Sequence, residues 1–523
     1  MLARLVFIAL LCLLPYSAQA QDVSSSSLDG RINTAIAPVA DFLSGLIFYA
    51  VPVTVGTDNL ATPEVNEGVA QVPLIVVWLI LGGLFFTLYL RFISLRGFRH
   101  AWHLVVGRYS DPNHPGEVTH FQALATALSG TVGLGNIAGV AIAISMGGPG
   151  AVFWMIVAGF LGMSLKFAEC LLGVKYRQHN ADGTVSGGAM YYLSQGFAER
   201  NAKLAGLGKL FAVLFAVCCI GGALGGGNMF QVNQAHQQVA DLWGGKEGWL
   251  AHNGWAFGLL MAVMTGAVII GGMKSIARVT GKLTPFMCGL YLIAGIVILA
   301  VNYDRVPAAL GVILTAAFSF DTSAVAGGLV GALIAGFRRA AFSNEAGFGS
   351  AAIAHAAVRT NEPVTEGMVA LLEPFIDTVI ICTMTALVIV TSGAYLTPGL
   401  DGVSMTSQAF ATVLPWFPTV LAVVVVLFAY STMISWSYYG CRAWGYLFGE
   451  SASARQLYNL LFCLFVVIGA SMELGKVVDF SDAMMFSMAI FNLAGLYVLA
   501  PIVKRELNHY WQRYKAGHFV RQR

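Results

Sequence analysis

The residues whose types and spacing most suggest chemistry lie in two glycine-rich stretches. Ser129–Gly139 reads SGTVGLGNIAG, and within it Gly133, Gly135 and Ala138 fit the dinucleotide fingerprint G-x-G-x-x-G/A. That fingerprint binds a nucleotide only when a strand leads into it and an acid about twenty positions later holds the ribose. Here no Asp or Glu occurs between Glu117 and Glu169, and no Lys follows the glycines as a phosphate loop requires. The ten histidines show no H-E-x-x-H spacing, and no G-x-S-x-G elbow is present. The sequence therefore predicts no enzyme, and no cofactor beyond an ion.

Ser343–Ser350, SNEAGFGS, shares the pattern S-x-x-x-G-[LF]-G-[NS] with Ser129–Asn136. Both stretches sit inside apolar runs. Glycine lets a helix unwind, and hydrocarbon cannot satisfy the N–H and C=O groups that unwinding frees. Half-helix N-termini attract a carboxylate, and freed carbonyls suit a hard cation such as sodium. A solute bearing a carboxylate, moved together with sodium, fits such a pair of breaks; close helix packing through glycine is the other reading.

The elements that must position these breaks are membrane helices. The 523-residue chain is 57% hydrophobic and 11% charged, with 59 glycines and a mean hydropathy of +0.73. A soluble domain carries about twice that charged fraction. The class is an all-α polytopic membrane protein, and a net charge of +3 gives no reason to expect a nucleic-acid partner. The eight cysteines form no C-x-x-C pair and read as small buried hydrophobes. No obligate protein partner is indicated; the lipid bilayer is the expected surrounding.

Arg4, the apolar run Leu5–Leu14 and Ala18-Gln19-Ala20 form the three parts of a signal peptide over residues 1–20, with an uncleaved first span as the alternative. Apolar windows at 72–93, 119–146, 149–177, 208–240, 255–272, 281–302, 325–357, 363–393, 418–448, 454–472 and 478–503 predict about eleven crossings. Residues 30–55 and 306–320 read as helices lying on, or dipping into, the outer face. With the mature N-terminus outside, most Lys and Arg fall on the cytoplasmic side, leaving Arg31, Lys246, Arg305 and Lys476 outside. The expected location is a bacterial inner membrane, with a periplasmic N-terminus and a cytoplasmic C-terminus. The expected divisions are an extracytoplasmic segment 21–70, a transporter domain 71–503 and a basic cytoplasmic tail 504–523. The two breaks fall in the second and seventh spans, so they cross in opposite directions, the sign of an inverted-repeat transporter. Repeat one is expected at about 119–302 and repeat two at about 325–503.

SGTVGLGNIAGVAIAISMGGPGAVFWM, KFAECLLGVKYR, FRRAAFSNEAGFGSAAIAHAA and STMISWSYYG closely resemble the alanine/glycine:cation symporter family, and the GLGN core is similar to the first helix of LeuT-type transporters. The resemblance spans residues 70 to 500. It implies a LeuT-like five-plus-five inverted repeat preceded by one extra span, and sodium-driven uptake of a small neutral amino acid, alanine or glycine. A proton-coupled symporter is the alternative, with Glu345, Glu373 or His236 as titrating groups. The likeness to LeuT-type folds places sodium among the Ser129 and Val132 carbonyls and the Ser431 and Thr432 hydroxyls, although buried hydroxyls also bond back to their own helix.

In the first break the backbone of Thr131, Val132, Gly133, Leu134 and Gly135 is expected to hold the substrate carboxylate. The Thr131 and Asn136 side chains are within reach of substrate or ion, and a helix cap is the plainer role for Asn136. The family resemblance favours Gln231 as a substrate-facing amide; Gln231 and Asn233 read equally as contacts between helices. Trp436, four residues past Thr432, is expected to wall a small pocket, with Tyr438 and Tyr439 beside it. Ionisable groups at membrane depth need partners. Arg338, Arg339, Glu345, Glu373 and Asp377 are accordingly read as one ion-paired network bracing or gating the second break, and Lys166 with Glu169 as a pair near a cytoplasmic edge.

Overall fold

A computed structural model describes residues 28–57, 66–109, 114–180, 183–319 and 328–519. The expected signal peptide lies outside the described residues. Helix α1 (Leu28–Ile47) is followed by a hairpin of β1 (Ala50–Thr57) and β2 (Asn66–Pro73). The expectation of helix through residue 55 is thus corrected, because the run AVPVTV alternates and carries β-branched residues, which favours a pleated strand. Next come α2 (Leu74–Tyr89) and α3 (Phe98–Val105), joined through a short turn at Ile93–Arg96. His100 of α3 bonds Tyr510 at 2.7 Å; burial, with His103 beside it, pushes the imidazole down to about 4 and keeps it neutral in that packing.

The first interrupted helix is α4 (His120–Thr131) followed by α5 (Ala138–Gly147). A capping box starts α4: Thr119 Oγ1 accepts from Gln122 N at 3.2 Å, and Gln122 Oε1 accepts from Thr119 N at 3.0 Å. Then follow α6 (Ala151–Lys175), α7 (Ala189–Arg200), α8 (Ala205–Leu224), α9 (Phe230–Leu242), α10 (Gly254–Ile269), α11 (Gly272–Val301) and α12 (Val306–Ala317). The second interrupted helix is α13 (Gly328–Asn344) with α14 (Ala351–His355). It leads to α15 (Pro363–Ala370), α16 (Thr383–Ser392), α17 (Gly402–Ala411), α18 (Phe417–Phe448), α19 (Ala452–Ser471) and α20 (Leu474–Lys515).

Seven of the described helical runs are long and apolar enough to cross a membrane. The expected count of eleven adds α2, α10 and the two interrupted helices, whose separate pieces are short. Two further runs widen to π-helix, Gly225–Met229 between α8 and α9, and Phe375–Cys382 before α16. Such bulges often mark functional sites.

The interrupted helices run in opposite directions. Val118, just before α4, pairs with Val358, just after α14; Glu117 N donates to Ala357 O at 2.7 Å and Arg359 N to Val118 O at 2.8 Å. At the far ends α5 packs against α13. The start of one helix therefore meets the end of the other, and both breaks fall at the bundle's centre, where their residues are buried.

Candidate functional site

The first break opens where Val132 leaves helical geometry at ψ 93°. Two freed donors are met by side-chain amides: Gly133 N donates to Asn136 Oδ1 at 2.9 Å, and Leu134 N to Gln231 Oε1 at 3.1 Å. Gln231 is held by its own Nε2 donating to Gly226 O at 2.9 Å. A Cβ on Gly133 would stand 2.5 Å from Thr432 Oγ1 and 3.1 Å from Gln231 Oε1, so this glycine lets three elements converge. Gly135 lies against Ser343, joining the two breaks. Thr131 Oγ1 bonds back to Ala127 O at 3.3 Å, within its own helix.

Ser129, Ser431 and Thr432 come together. Ser129 Oγ donates to Ser431 O at 2.9 Å, and Thr432 Oγ1 donates to Ser129 O at 3.0 Å. The α4 end and α18 thus touch through oxygen atoms, beside the turned Val132 peptide. Trp436 is buried on the same helix, and a Cβ on Gly227 would fall 2.2 Å from its Cγ. The glycine run in the π-bulge therefore seats the indole directly on backbone. Tyr439 packs edge-on to Trp436 at 5.2 Å and lies beside Gly130, whereas the Tyr438 ring carries Arg442 at 5.2 Å. Asn233 donates instead to Gly469 O and Met472 O at 3.0 and 2.7 Å, and His236 bonds Leu250 O at 2.8 Å, both away from the breaks.

The second break has a different character. Glu345 sits at φ 56°, with Gly347 at 93° and Gly349 at 78°. Glu345 Oε1 accepts from Trp436 Nε1 at 2.9 Å, and its Oε2 from Ser350 Oγ. Asn344 Oδ1 accepts from Ala346 N at 3.0 Å, within the turn. Glu169 accepts from Gly349 N at 3.2 Å and from Asn492 Nδ2 at 2.7 Å, and Asn492 also donates to Gly347 O at 2.8 Å. The expected Lys166–Glu169 edge pair is therefore corrected: both side chains are fully buried, and Glu169 caps the break.

The single network expected of Arg338, Arg339, Glu345, Glu373 and Asp377 separates into three. Arg338 Nε reaches Asp482 Oδ2 at 2.7 Å, and Arg339 bonds the same oxygen. The α13 geometry turns both guanidiniums toward α20, away from the acids C-terminal to them. Arg339 Nε and Nη1 and Asp482 Oδ1 have no hydrogen-bond partner among the described residues. Glu373 belongs to a buried chain of alternating sign. Lys166 Nζ lies 3.1 Å from Glu373 Oε2, and His355 Nε2 bonds Glu373 Oε1. His355 Nδ1 lies 2.5 Å from Glu366 Oε1, and His120 Nδ1 2.5 Å from Glu366 Oε2. Both His355 nitrogens face carboxylates, which accept only, so the geometry is that of an imidazolium. Cys170 lies near His355 and Glu373, as a metal triad would require, but His355 is engaged by Glu366 and Glu373, and Glu373 by His355 and Lys166.

Asp377 forms the third group. Its carboxylate accepts from Asn136 Nδ2 at 2.6 Å, Ser343 Oγ at 2.9 Å and Thr378 Oγ1 at 2.7 Å. It makes no ion pair among the described residues, although it is fully buried. A carboxylate in that position, ringed by oxygen and amide groups from both breaks, suits a hard monovalent cation or a proton.

Asp482, His120, His355 and Glu366 escape a reading by motif. The sign they leave in the sequence is that each is ionisable and falls inside an apolar window.

Two antiparallel interrupted helices meeting over a buried polar centre define a multi-pass membrane transporter of the inverted-repeat kind. The chain belongs to the sodium:alanine symporter family, whose model matches residues 58–522. It is 41% identical over 438 residues to the sodium/alanine symporter AgcS of Methanococcus maripaludis, covering 83% of this chain and 93% of that one. It is 33% identical to the probable sodium/glutamine symporter GlnT of Bacillus subtilis, covering 85% and 89%. The fold is shared with MhsT, solved in complex with L-phenylalanine, at a TM-score of 0.52 and 15% identity over 74% of this chain and 89% of that one. The family and these relatives are transporters by name, in keeping with cation-coupled amino-acid symport.

Proposed function

We propose that this protein takes up a small neutral amino acid, alanine or glycine, driven by sodium, by alternating access around the two breaks. The observation that carries the reading is at the first break, where Gly133 N and Leu134 N donate to the amide oxygens of Asn136 and Gln231. A substrate carboxylate offers the same acceptors with full charge and would displace both amides. Gln231 is then freed toward the ammonium, and Trp436 limits the side chain to a small one.

Sodium is assigned to the oxygens of Ser129, Val132, Ser431 and Thr432, with Asp377 as the charged partner of a second cation. Repeats at 119–302 and 325–503 within a 71–503 domain, and a cytoplasmic tail at 504–523 in a bacterial inner membrane, complete the reading. Residues 21–70 are assigned to the outer face.

Uptake of radiolabelled alanine into proteoliposomes, with an inward sodium gradient against equal potassium at constant pH and clamped voltage, tests this. Sodium-dependent accumulation that Gly133→Leu abolishes is the expected result. Accumulation that ignores sodium and follows a pH gradient would move coupling to Asp377 as a proton carrier. No uptake of alanine or glycine under any gradient would sink the proposal.

A further inference from the structure

Four cations surround one cavity at the edge of the bundle without an acid among its lining residues. The cavity, about 260 Å³, lies between the end of α2 and the last turns of α20, and Arg91, Arg96, Lys504 and Lys515 line it together with Tyr89 and Trp511. None of the four cations makes an ion pair among the described residues. Elsewhere at this end basic residues do find acids: Lys175 lies 3.1 Å from Glu506, and Arg505 lies 3.0 Å from Glu199. Like charges converging on a cavity repel one another unless an anion enters.

The cavity is also shaped. Arg91 and Phe92 both adopt left-handed backbone, at φ 55° and 54°, a conformation that L residues disfavour and that tends to persist where the surroundings enforce it. Here it is fixed by Arg91 N donating to Leu88 O at 3.0 Å and Phe92 N to Thr87 O at 2.8 Å. The turn carries Arg91 back toward α20. Two of the cations are placed by aromatic faces: Lys504 Nζ lies 4.1 Å from the Tyr89 ring centroid, and the Arg96 guanidinium 5.8 Å from that of Trp511. Aromatic rings that hold cations at the end of an apolar helix are the features of a membrane–water interface.

We propose that this cavity is a binding site for a phosphate group, and that the phosphate is the headgroup of an anionic phospholipid. The neighbouring surface favours lipid over a free ion. Leu81, Leu84, Phe85 and Leu88 share one exposed face of α2 leading up from the cavity, which gives acyl chains an apolar track while the headgroup is held below. A bound lipid would tie the end of α2 to α20, two elements far apart in sequence.

The test uses the full-length protein in neutral detergent. Phosphatidylglycerol, phosphatidylcholine and inorganic phosphate are titrated separately, with bound lipid counted by native mass spectrometry and melting temperature followed in parallel. Phosphatidylglycerol is expected to bind and raise the melting temperature, phosphatidylcholine to bind far less, and inorganic phosphate at equal concentration not to compete. Arg96→Gln and Lys515→Gln should each weaken phosphatidylglycerol binding about fivefold, and Arg96→Lys should largely retain it. The melting temperature in phosphatidylcholine alone reports whether each variant is folded. Equal binding of the two lipids, or unchanged binding in folded glutamine variants, would overturn the site. Competition by inorganic phosphate would overturn its assignment to lipid.

Discussion

The two breaks share a sequence pattern and differ in nearly everything else. The first is uncharged, and its freed N–H groups rest on the side-chain amides of Asn136 and Gln231, acceptors that a ligand can replace. The second holds Glu345 and two glycines in left-handed backbone, and is fastened by Trp436, Ser350, Glu169 and Asn492. Behind it runs the chain Lys166–Glu373–His355–Glu366–His120, in which each carboxylate has both oxygens engaged. Under the proposed function the first break is the one that exchanges partners and the second the one that is held. Similar glycines thus serve opposite ends, because what surrounds a freed backbone group decides whether it is available.

The largest effect should come from cutting the brace. Glu366→Ala leaves His355 and His120 buried without their shared carboxylate, and loss of one partner of a buried ion pair costs about 3–5 kcal/mol. A sharp fall in melting temperature and in yield of folded protein is expected; a variant as stable as the parent would remove the distinction between the breaks.

Gly349→Ala comes next. Its φ is 78°, and the added Cβ would lie 2.9 Å from the Asn492 side chain. Left-handed backbone alone costs about 1–2 kcal/mol, so thermal unfolding should show that loss or more. Gly135→Ala, with no positive φ and Ser343 at 3.3 Å, should be milder. Equal losses at both positions would mean that the first break is as rigid as the second.

Gln231→Leu addresses the exchangeable side. It leaves Leu134 N–H unpartnered at a cost of about 1–3 kcal/mol, a cost present in the free protein and partly relieved when a carboxylate binds. The expected signature is a changed KM for alanine with modest change in melting temperature; unaltered uptake kinetics would place Gln231 outside the site. Smallest of all, Ser350→Ala removes one of the hydrogen bonds to Glu345 while Trp436 keeps the other, and should cost about 1 kcal/mol in thermal stability.

Much of this was legible in the sequence. The apolar windows locate the long helices, and the echo between Ser129–Asn136 and Ser343–Ser350 locates both interruptions, although glycine in a membrane helix serves close packing as well as unwinding. Gly133, Asn136, Gln231 and Thr432 do come together, while Trp436 meets Glu345 of the second break. Less legible were the charge partners. Arg338 and Arg339 precede Glu345, Glu373 and Asp377 in the chain, yet they pair with Asp482, more than a hundred residues on. Lys166 passes over nearby Glu169 for Glu373. The strand pair Ala50–Thr57 and Asn66–Pro73 is hard to read in the sequence because its apolar start merges with the helix before it.

By itself the sequence determined that this chain crosses a membrane many times and marked the two helices that glycine permits to unwind. Hydropathy and glycine act locally, and hydrocarbon leaves helices little alternative. Which groups satisfy the unwound backbone, and which acid neutralises which base, only the tertiary structure decided. Those pairings depend on distances between helices remote in sequence, and a side chain's type sets what it needs without naming what supplies it.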